Sequence, residues 1–219
     1  MNEELFGNAE AAAARGAELI AEAAEAAISQ RGAFRLAVSG GRGPWRMFEL
    51  LGEHAPEWSR IDVFQVDERI APDGDPDRNL THLLESLPAE GVGRVRPMPV
   101  TDPDPDAAAD RYAAELPESI DLVHLGLGPD GHTASLVPGD PVLEVRDRLV
   151  ATTGEYQGRR RMTLTYPALE AAGRILWLVT GDDKVDALAK LRAGDESIPA
   201  GRVRVRDSIL LADRDASPG

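Results

Sequence analysis

The sequence predicts an α/β fold, an open and mostly parallel sheet with helices on both faces. Short apolar runs recur at residues 34–38, 61–66, 120–127 and 174–180, as strands buried on both faces of a parallel sheet do. Segments with the 3.6-residue periodicity of amphipathic helices separate them. Runs of strand and helix that alternate in this way build parallel sheets.

Residues 10–30 open the series as a helix. Gly16, Leu19, Ile20, Ala23 and Ala27 share one face, Glu18, Glu22 and Glu25 another, and Gly32 is the stop. Strand 34–38 runs into Ser39-Gly-Gly-Arg-Gly-Pro44, and a helix follows over 44–51 with proline at its first position. A strand, a glycine loop and a helix can cradle a phosphate on free backbone N–H groups; they can equally form a purely structural turn. The loop is neither G-x-G-x-x-G nor a Walker sequence, and Ser39 is not in a G-x-S-x-G elbow.

Strand 61–66 ends in Asp67-Glu-Arg69, charges of the kind that mark exit to solvent, and a turn-rich loop follows. Asn79 is the expected cap of a helix whose apolar face is Leu80, Leu83, Leu84 and Leu87, ended by Pro88. Residues 94–100 read as a strand weakened by Pro97 and Pro99. Asp106 is the expected cap of a helix reaching Leu116, with Ala109, Tyr112, Ala113 and Leu116 inward.

Strand 120–127 stops at Gly128, Pro129 and Gly131, and 133–136 reads as a helical turn. That arrangement would aim backbone N–H groups at one point. In its middle lies His132, with Asp130 two residues before. His132 is a candidate general base or a loop histidine that caps the next segment. Residues 149–153 read as a strand. Arg159, Arg160 and Arg161 form either a solvated run or a loop that turns one arginine inward onto a phosphate. A short helix at 166–169 and strand 174–180 follow. Gly181-Asp-Asp-Lys184 opens a helix through Leu191, where Lys184 opposes the dipole and suits an anion. Residues 203–205 and 209–211 read as closing strands.

The 219 residues show no linker or internal repeat, and one domain spanning 1–219 is the expectation. There are no cysteines, which removes disulfides and thiolate chemistry. Neither an apolar run of membrane-spanning length nor a signal-peptide pattern occurs, so a cytoplasmic protein is expected. The net charge of −14 disfavours nucleic acid and anionic membranes as partners. A phosphorylated substrate would need close, well-placed donors against that field. His54, His82, His124 and His132 show no metal-ligand spacing.

Ser39, residues 67–69, His132 and Lys184 each follow a predicted strand. In an open parallel sheet such positions converge on one crevice.

Ser39-Gly-Gly…Pro44, Asp67-Glu-Arg69 with Asp77…Asn79, Gly126-Leu-Gly-Pro-Asp-Gly-His-Thr-Ala-Ser135 with Pro138-Gly139, Arg161-Met-Thr163, Gly181…Lys184 and Pro199-Ala200 resemble the 6-phosphogluconolactonase family, from about residue 5 to 213. The D-G-H-T-A-S segment is the most specific piece. The resemblance implies a Rossmann-like fold shared with glucosamine-6-phosphate deaminases. It implies hydrolysis of 6-phospho-D-glucono-1,5-lactone to 6-phosphogluconate in the oxidative pentose phosphate pathway, with no metal or organic cofactor. Monomer or weak homodimer is the expected state.

On this resemblance His132 is the base that activates water, and Asp130 orients it or holds a sugar hydroxyl. Arg69, with nearby backbone N–H groups, meets the oxyanion, and Asp67 positions Arg69 or a hydroxyl. Ser39, Gly40, Gly41, Arg42, Asn79, Arg161 and Lys184 bind substrate. Two departures stand out: the family's S-G-G-S-T-P has Arg42-Gly43 in place of its Ser-Thr, and its D-S-N is Asp77-Arg78-Asn79. Arg42 either replaces the lost hydroxyls as a phosphate ligand or points away. The deaminases carry D-E-Y and D-G-H-I-A-F-N-E-P-G, against Asp67-Glu-Arg69 and Thr133-Ala-Ser-Leu here, which favours the lactonase. A sugar-phosphate-binding regulator without catalysis is the remaining alternative.

Overall fold

The computed structural model describes residues 1–54 and 57–218. In chain order the elements are β1 (Asn2–Phe6), α1 (Ala9–Arg31), β2 (Phe34–Val38), α2 (Arg42–Glu53), β3 (Ile61–Gln65), β4 (Asp67–Arg69), α3 (Asn79–Ser86), α4 (Ala89–Val92), β5 (Val95–Arg96), α5 (Pro105–Glu115), β6 (Leu122–Leu125), β7 (Val150–Thr152), β8 (Arg161–Leu164), α6 (Tyr166–Glu170), β9 (Arg174–Val179), α7 (Val185–Ala193) and β10 (Ser208–Asp213). Short 3₁₀ turns join several of them.

Seven strands form one parallel sheet in the order β1-β10-β9-β6-β2-β3-β5. Alternate strand residues feed two cores. Leu36, Val63 and Leu176 pack against α1, α2 and α3; Ala37, Phe64, Val123 and Trp177 pack against α5, α6 and α7. Helices thus cover both faces, as the sequence predicts. From β2 the chain winds outward to β3 and β5, then returns to β6 on the other side of β2. The order reverses between β2 and β6, where ligands bind in sheets of this kind.

The local rules explain the matches. Asn8 Oδ1 accepts the Ala11 N–H and starts α1, and Gly32 ends it at φ 79°. Tyr112 of α5 accepts from Gln65 N–H at 2.9 Å, which anchors that helix under β3.

The structure corrects several expectations. β1 is a strand although it reads Asn-Glu-Glu, because it pairs on one side only and lies at the sheet edge. Residues 67–69 do not exit to solvent. They form β4 of a small antiparallel sheet, β4-β8-β7, through pairing with distant residues. Asn79 does not cap α3; the fully buried Glu68 carboxylate does, accepting from Asn79 N–H at 2.7 Å and Leu80 N–H at 2.8 Å. Leu84, placed on the apolar face, is exposed. The cap of α5 is Asp104 rather than Asp106. Only Val95 and Arg96 of residues 94–100 are strand, and Ala200–Arg202 is a 3₁₀ turn with no strand at 203–205. Residues 133–136 form no helical turn: Ala134 takes φ 52°, and Thr133 and Leu136 bridge instead.

Candidate active site

A cleft of about 290 Å³ opens at the carboxyl ends of β2, β6 and β9. Ser39, Gly40, Gly41, Arg42, Asp67, Arg69, Asn79, His132, Arg161 and Lys184 all line it. Asp130, the remaining predicted site residue, stands behind His132.

The loop after β2 presents the open end of a helix. Gly41 is the N-cap of α2 and offers no side-chain hydrogen bond, so the first-turn N–H groups keep their partial positive charge. Gly40 permits a close approach: a Cβ there would overlap Asn79 Oδ1. Asn79 in turn donates to the Asp67 backbone carbonyl at 3.0 Å and accepts from Arg69.

The loop after β6 is built differently. Its N–H groups are turned inward: Gly128 donates to His132 O at 2.8 Å, Gly131 to Gly128 O at 2.9 Å, and His132 to Asp130 Oδ1 at 3.1 Å. With no helix at 133–136 either, the expected convergence of amides here is absent. What the loop presents is a side chain. His132 Nδ1 lies 2.6 Å from Asp130 Oδ1. Gly128 makes room, since a Cβ there would overlap the imidazole. Burial pushes the Asp130 carboxyl up, but donation from His132 N–H, the imidazole and Tyr156 outweighs burial and holds it below its ordinary value.

The floor comes from the small sheet. Arg69 and Arg161 face each other across β4 and β8, and Asp67 faces Thr163. Like charges opposite one another in a sheet are unfavourable unless an anion joins them. Burial first, then the Arg69 charge, lowers the Arg161 pKa, with Asp67 opposing. Arg161 is 4% exposed, and its Nε and Ser39 Oγ are buried without a hydrogen-bond partner. Two donors are therefore unsatisfied beside the cleft. The Asp67 carboxylate accepts from Ser135 Oγ at 2.6 Å and from Asn79 Nδ2 at 3.4 Å, and Arg69 donates to that same Asn79 and to Asp77 O at 3.1 Å, so Asp67 reaches Arg69 through Asn79. Arg159 pairs with Asp75 and Asp77, and Arg160 donates to Thr153 O, so Arg161 is the arginine of that run facing the cleft. Lys184 is tied to Asp183 at 2.7 Å on the cleft wall.

Sequence reasoning missed Ser135, Glu68 and Tyr156. Ser135 lay inside the most specific motif and offered a signal. Glu68 and Tyr156 act through partners that only the tertiary fold brings near.

A family model described as glucosamine-6-phosphate isomerases/6-phosphogluconolactonase matches residues 7–211. The chain is 35% identical over 216 residues to the 6-phosphogluconolactonase of Nostoc sp. (strain PCC 7120), covering 90% of this chain and 88% of the relative. It is 38% identical over 240 residues to that of Streptomyces coelicolor, covering 93% and 92%. The crystal structure of 6-phosphogluconolactonase from Thermotoga maritima superposes with a TM-score of 0.85 at 27% identity, covering 97% of this chain and 98% of that one. A monomeric glucosamine-6-phosphate deaminase gives the same TM-score of 0.85 at 20% identity, so the fold is common to both chemistries.

Proposed function

The chain belongs to the glucosamine-6-phosphate isomerase/6-phosphogluconolactonase family and hydrolyses 6-phospho-D-glucono-1,5-lactone to 6-phosphogluconate, and we propose that it does so by general-base activation of water at His132. The observation that carries this is the His132–Asp130 pair, 2.6 Å apart, facing a cleft lined by Arg42, Arg69, Arg161 and Lys184.

With Asp130 accepting at Nδ1, the ring proton sits there and Nε2 keeps its lone pair. Nε2 takes a proton from water as the water oxygen bonds to C1 of the lactone. The carbonyl oxygen becomes an oxyanion, met by the guanidinium of Arg69. When the intermediate collapses, the bond from C1 to the ring oxygen breaks, and the proton on Nε2 passes to that oxygen. The product is the open-chain acid, which gives its carboxyl proton to water and leaves the new carboxylate beside Arg69. No cofactor enters this sequence.

The 6-phosphate sits against the open amino end of α2, with Ser39, Arg42, Arg161 and Lys184 around it. Arg42 carries the charge that the departing Ser-Thr pair would have met by hydroxyls. Asn79 positions Arg69, and Asp67 holds a sugar hydroxyl. The whole chain acts as one domain, a monomer or weak homodimer in the cytoplasm. Among the described residues no helix is long and apolar enough to cross a membrane.

The test generates the lactone in situ from glucose-6-phosphate and its dehydrogenase, then follows 6-phosphogluconate through a second dehydrogenase. Acceleration above spontaneous hydrolysis, unchanged by chelator, is expected. Ammonia released from glucosamine-6-phosphate instead would move the protein to the deaminase side of its family.

A further inference from the structure

Between β7 and β8 the chain reverses through a two-residue turn. Tyr156 and Arg159 bridge it, with Tyr156 N–H to Arg159 O at 3.0 Å and the reverse bond at 3.3 Å. The two central residues, Gln157 and Gly158, have φ of 54° and 78°. Such a turn matches the right-handed twist of its strands and makes a stiff hairpin tip. Gln157 takes a conformation that disfavours any residue with a Cβ. Strain of that sort persists where surrounding contacts hold it in place.

The contacts made by this tip lead into the active site. Tyr156 Oη donates to Asp130 Oδ2 at 3.1 Å. The other oxygen of that carboxylate holds His132. The ring of Tyr156 meets the His132 imidazole edge-on at 5.5 Å. Its face carries the Arg161 guanidinium at 4.9 Å, a cation–π distance. Gln157 Oε1 accepts from Arg161 at 3.3 Å on the same side. One side chain therefore touches the residue behind the base, the base itself, and the buried arginine.

We propose that Tyr156 is a positioning residue for the hydrolysis: its hydroxyl fixes the Asp130 carboxylate behind His132, and its ring holds the plane of Arg161 against the substrate anion. This rests on the assignment of His132 as the base. Asp130 sits at the rim of the loop, its side chain 35% exposed. A carboxylate so placed has several rotamers open to it. The bond to Oδ2 selects the rotamer that offers Oδ1 to Nδ1, and with it the tautomer that leaves Nε2 free. Burial, then the charge of Asp130, raises the Tyr156 pKa, so the hydroxyl stays protonated and able to donate. The two halves of the residue act on different steps. The hydroxyl serves proton transfer and the ring serves substrate binding.

That division gives the test, run on the full chain in the coupled lactonase assay. Tyr156→Phe removes only the hydroxyl and keeps the ring; kcat should fall about fivefold with KM within about twofold. Tyr156→Leu removes the ring as well, and KM should rise a further fivefold or so as Arg161 loses its platform. In an Asp130→Ala background, Tyr156→Phe should change kcat by less than about 1.5-fold, since the partner is gone. Thermal melting of each variant separates these effects from loss of fold. A Tyr156→Phe enzyme with kcat within twofold of the parent overturns the proposal, as does a full fivefold loss retained in the Asp130→Ala background. His132→Ala distinguishes the levels. If it keeps near-parental kcat, the base assignment falls and this proposal with it. If it is inactive while Tyr156→Phe is normal, only the role of Tyr156 falls.

Discussion

The loops after β2 and β6 leave neighbouring strands at the point where the sheet order reverses, yet they are built on opposite plans. The β2 loop leaves its backbone open, with Gly41 capping α2 without a side chain and Ser39 Oγ unpartnered. The β6 loop closes its backbone on itself, with Gly128, Gly131 and His132 N–H groups all bonded inside it. An open backbone offers diffuse positive potential, which suits a phosphate whose charge does not change in the reaction. A closed loop offers one rigidly held side chain, which suits the transfer of a proton. On the proposed roles, binding and chemistry are divided between two turns that sequence alone reads as the same strand–glycine–helix unit.

The largest effect should come from the closed loop. His132→Ala should lower kcat about 1,000-fold, with KM altered little, in the coupled assay. A near-normal kcat would erase the division of labour. Gly128→Ala keeps the base but moves it: its methyl would displace the imidazole, and a kcat loss of about 100-fold with an intact melting transition is expected.

Beneath the loops, His124 of β6 is paired in register with Val38 of β2, next to Ser39. It is fully buried, edge-on to Phe48 at 5.8 Å, with no well-formed hydrogen bond at either ring nitrogen. Burial drives its pKa down to about 3 from 6.5, against a weaker upward pull from the Ser39 backbone. Between those values the unfolded chain binds the extra proton, so the folded state is favoured above pH 6.5 and loses ground as pH falls toward 3. At pH 5 the loss is about 2 kcal/mol, which His124→Leu should remove. Urea midpoints for parent and variant should diverge between pH 7 and pH 5, and parallel midpoints would mean that the folded state protonates His124 freely.

The smallest effect belongs to the open loop's side of the cleft. Lys184→Ala should raise KM about tenfold and leave kcat within about twofold. A kcat loss instead would place Lys184 in the chemistry and blur the distinction.

Much of this was legible in the sequence because the signals were local. Strands 34–38 and 61–65 and helix 9–31 follow from apolar spacing and terminal glycines, and the loop residues gather because each follows a strand. The failures have one physical origin, partners far along the chain. Asp67-Glu-Arg69 reads as an exit to solvent until β8 pairs with it, and Asn79 reads as a cap until Glu68 takes that task. Residues 133–136 read as helix because Thr133 and Ser135 show no sign of their distant bonds. Thr133 donates to Gly126 O at 2.9 Å and Ser135 to Asp67, and these ties hold the backbone in a turn. Tyr156 carried no signal at all, since its hairpin meets Asp130 only in three dimensions.

β1 lies beside β10 at one edge of the sheet, with Asn2 opposite Ile209 and Phe6 opposite Asp213. During synthesis on a ribosome the strand made early must therefore wait for the one made late. The loops that carry Ser39, His132 and Lys184 emerge before β10 does, so the catalytic crevice can be drafted while the nascent sheet still lacks its last two strands. The Glu3–Arg192 ion pair ties this edge strand to α7 as well.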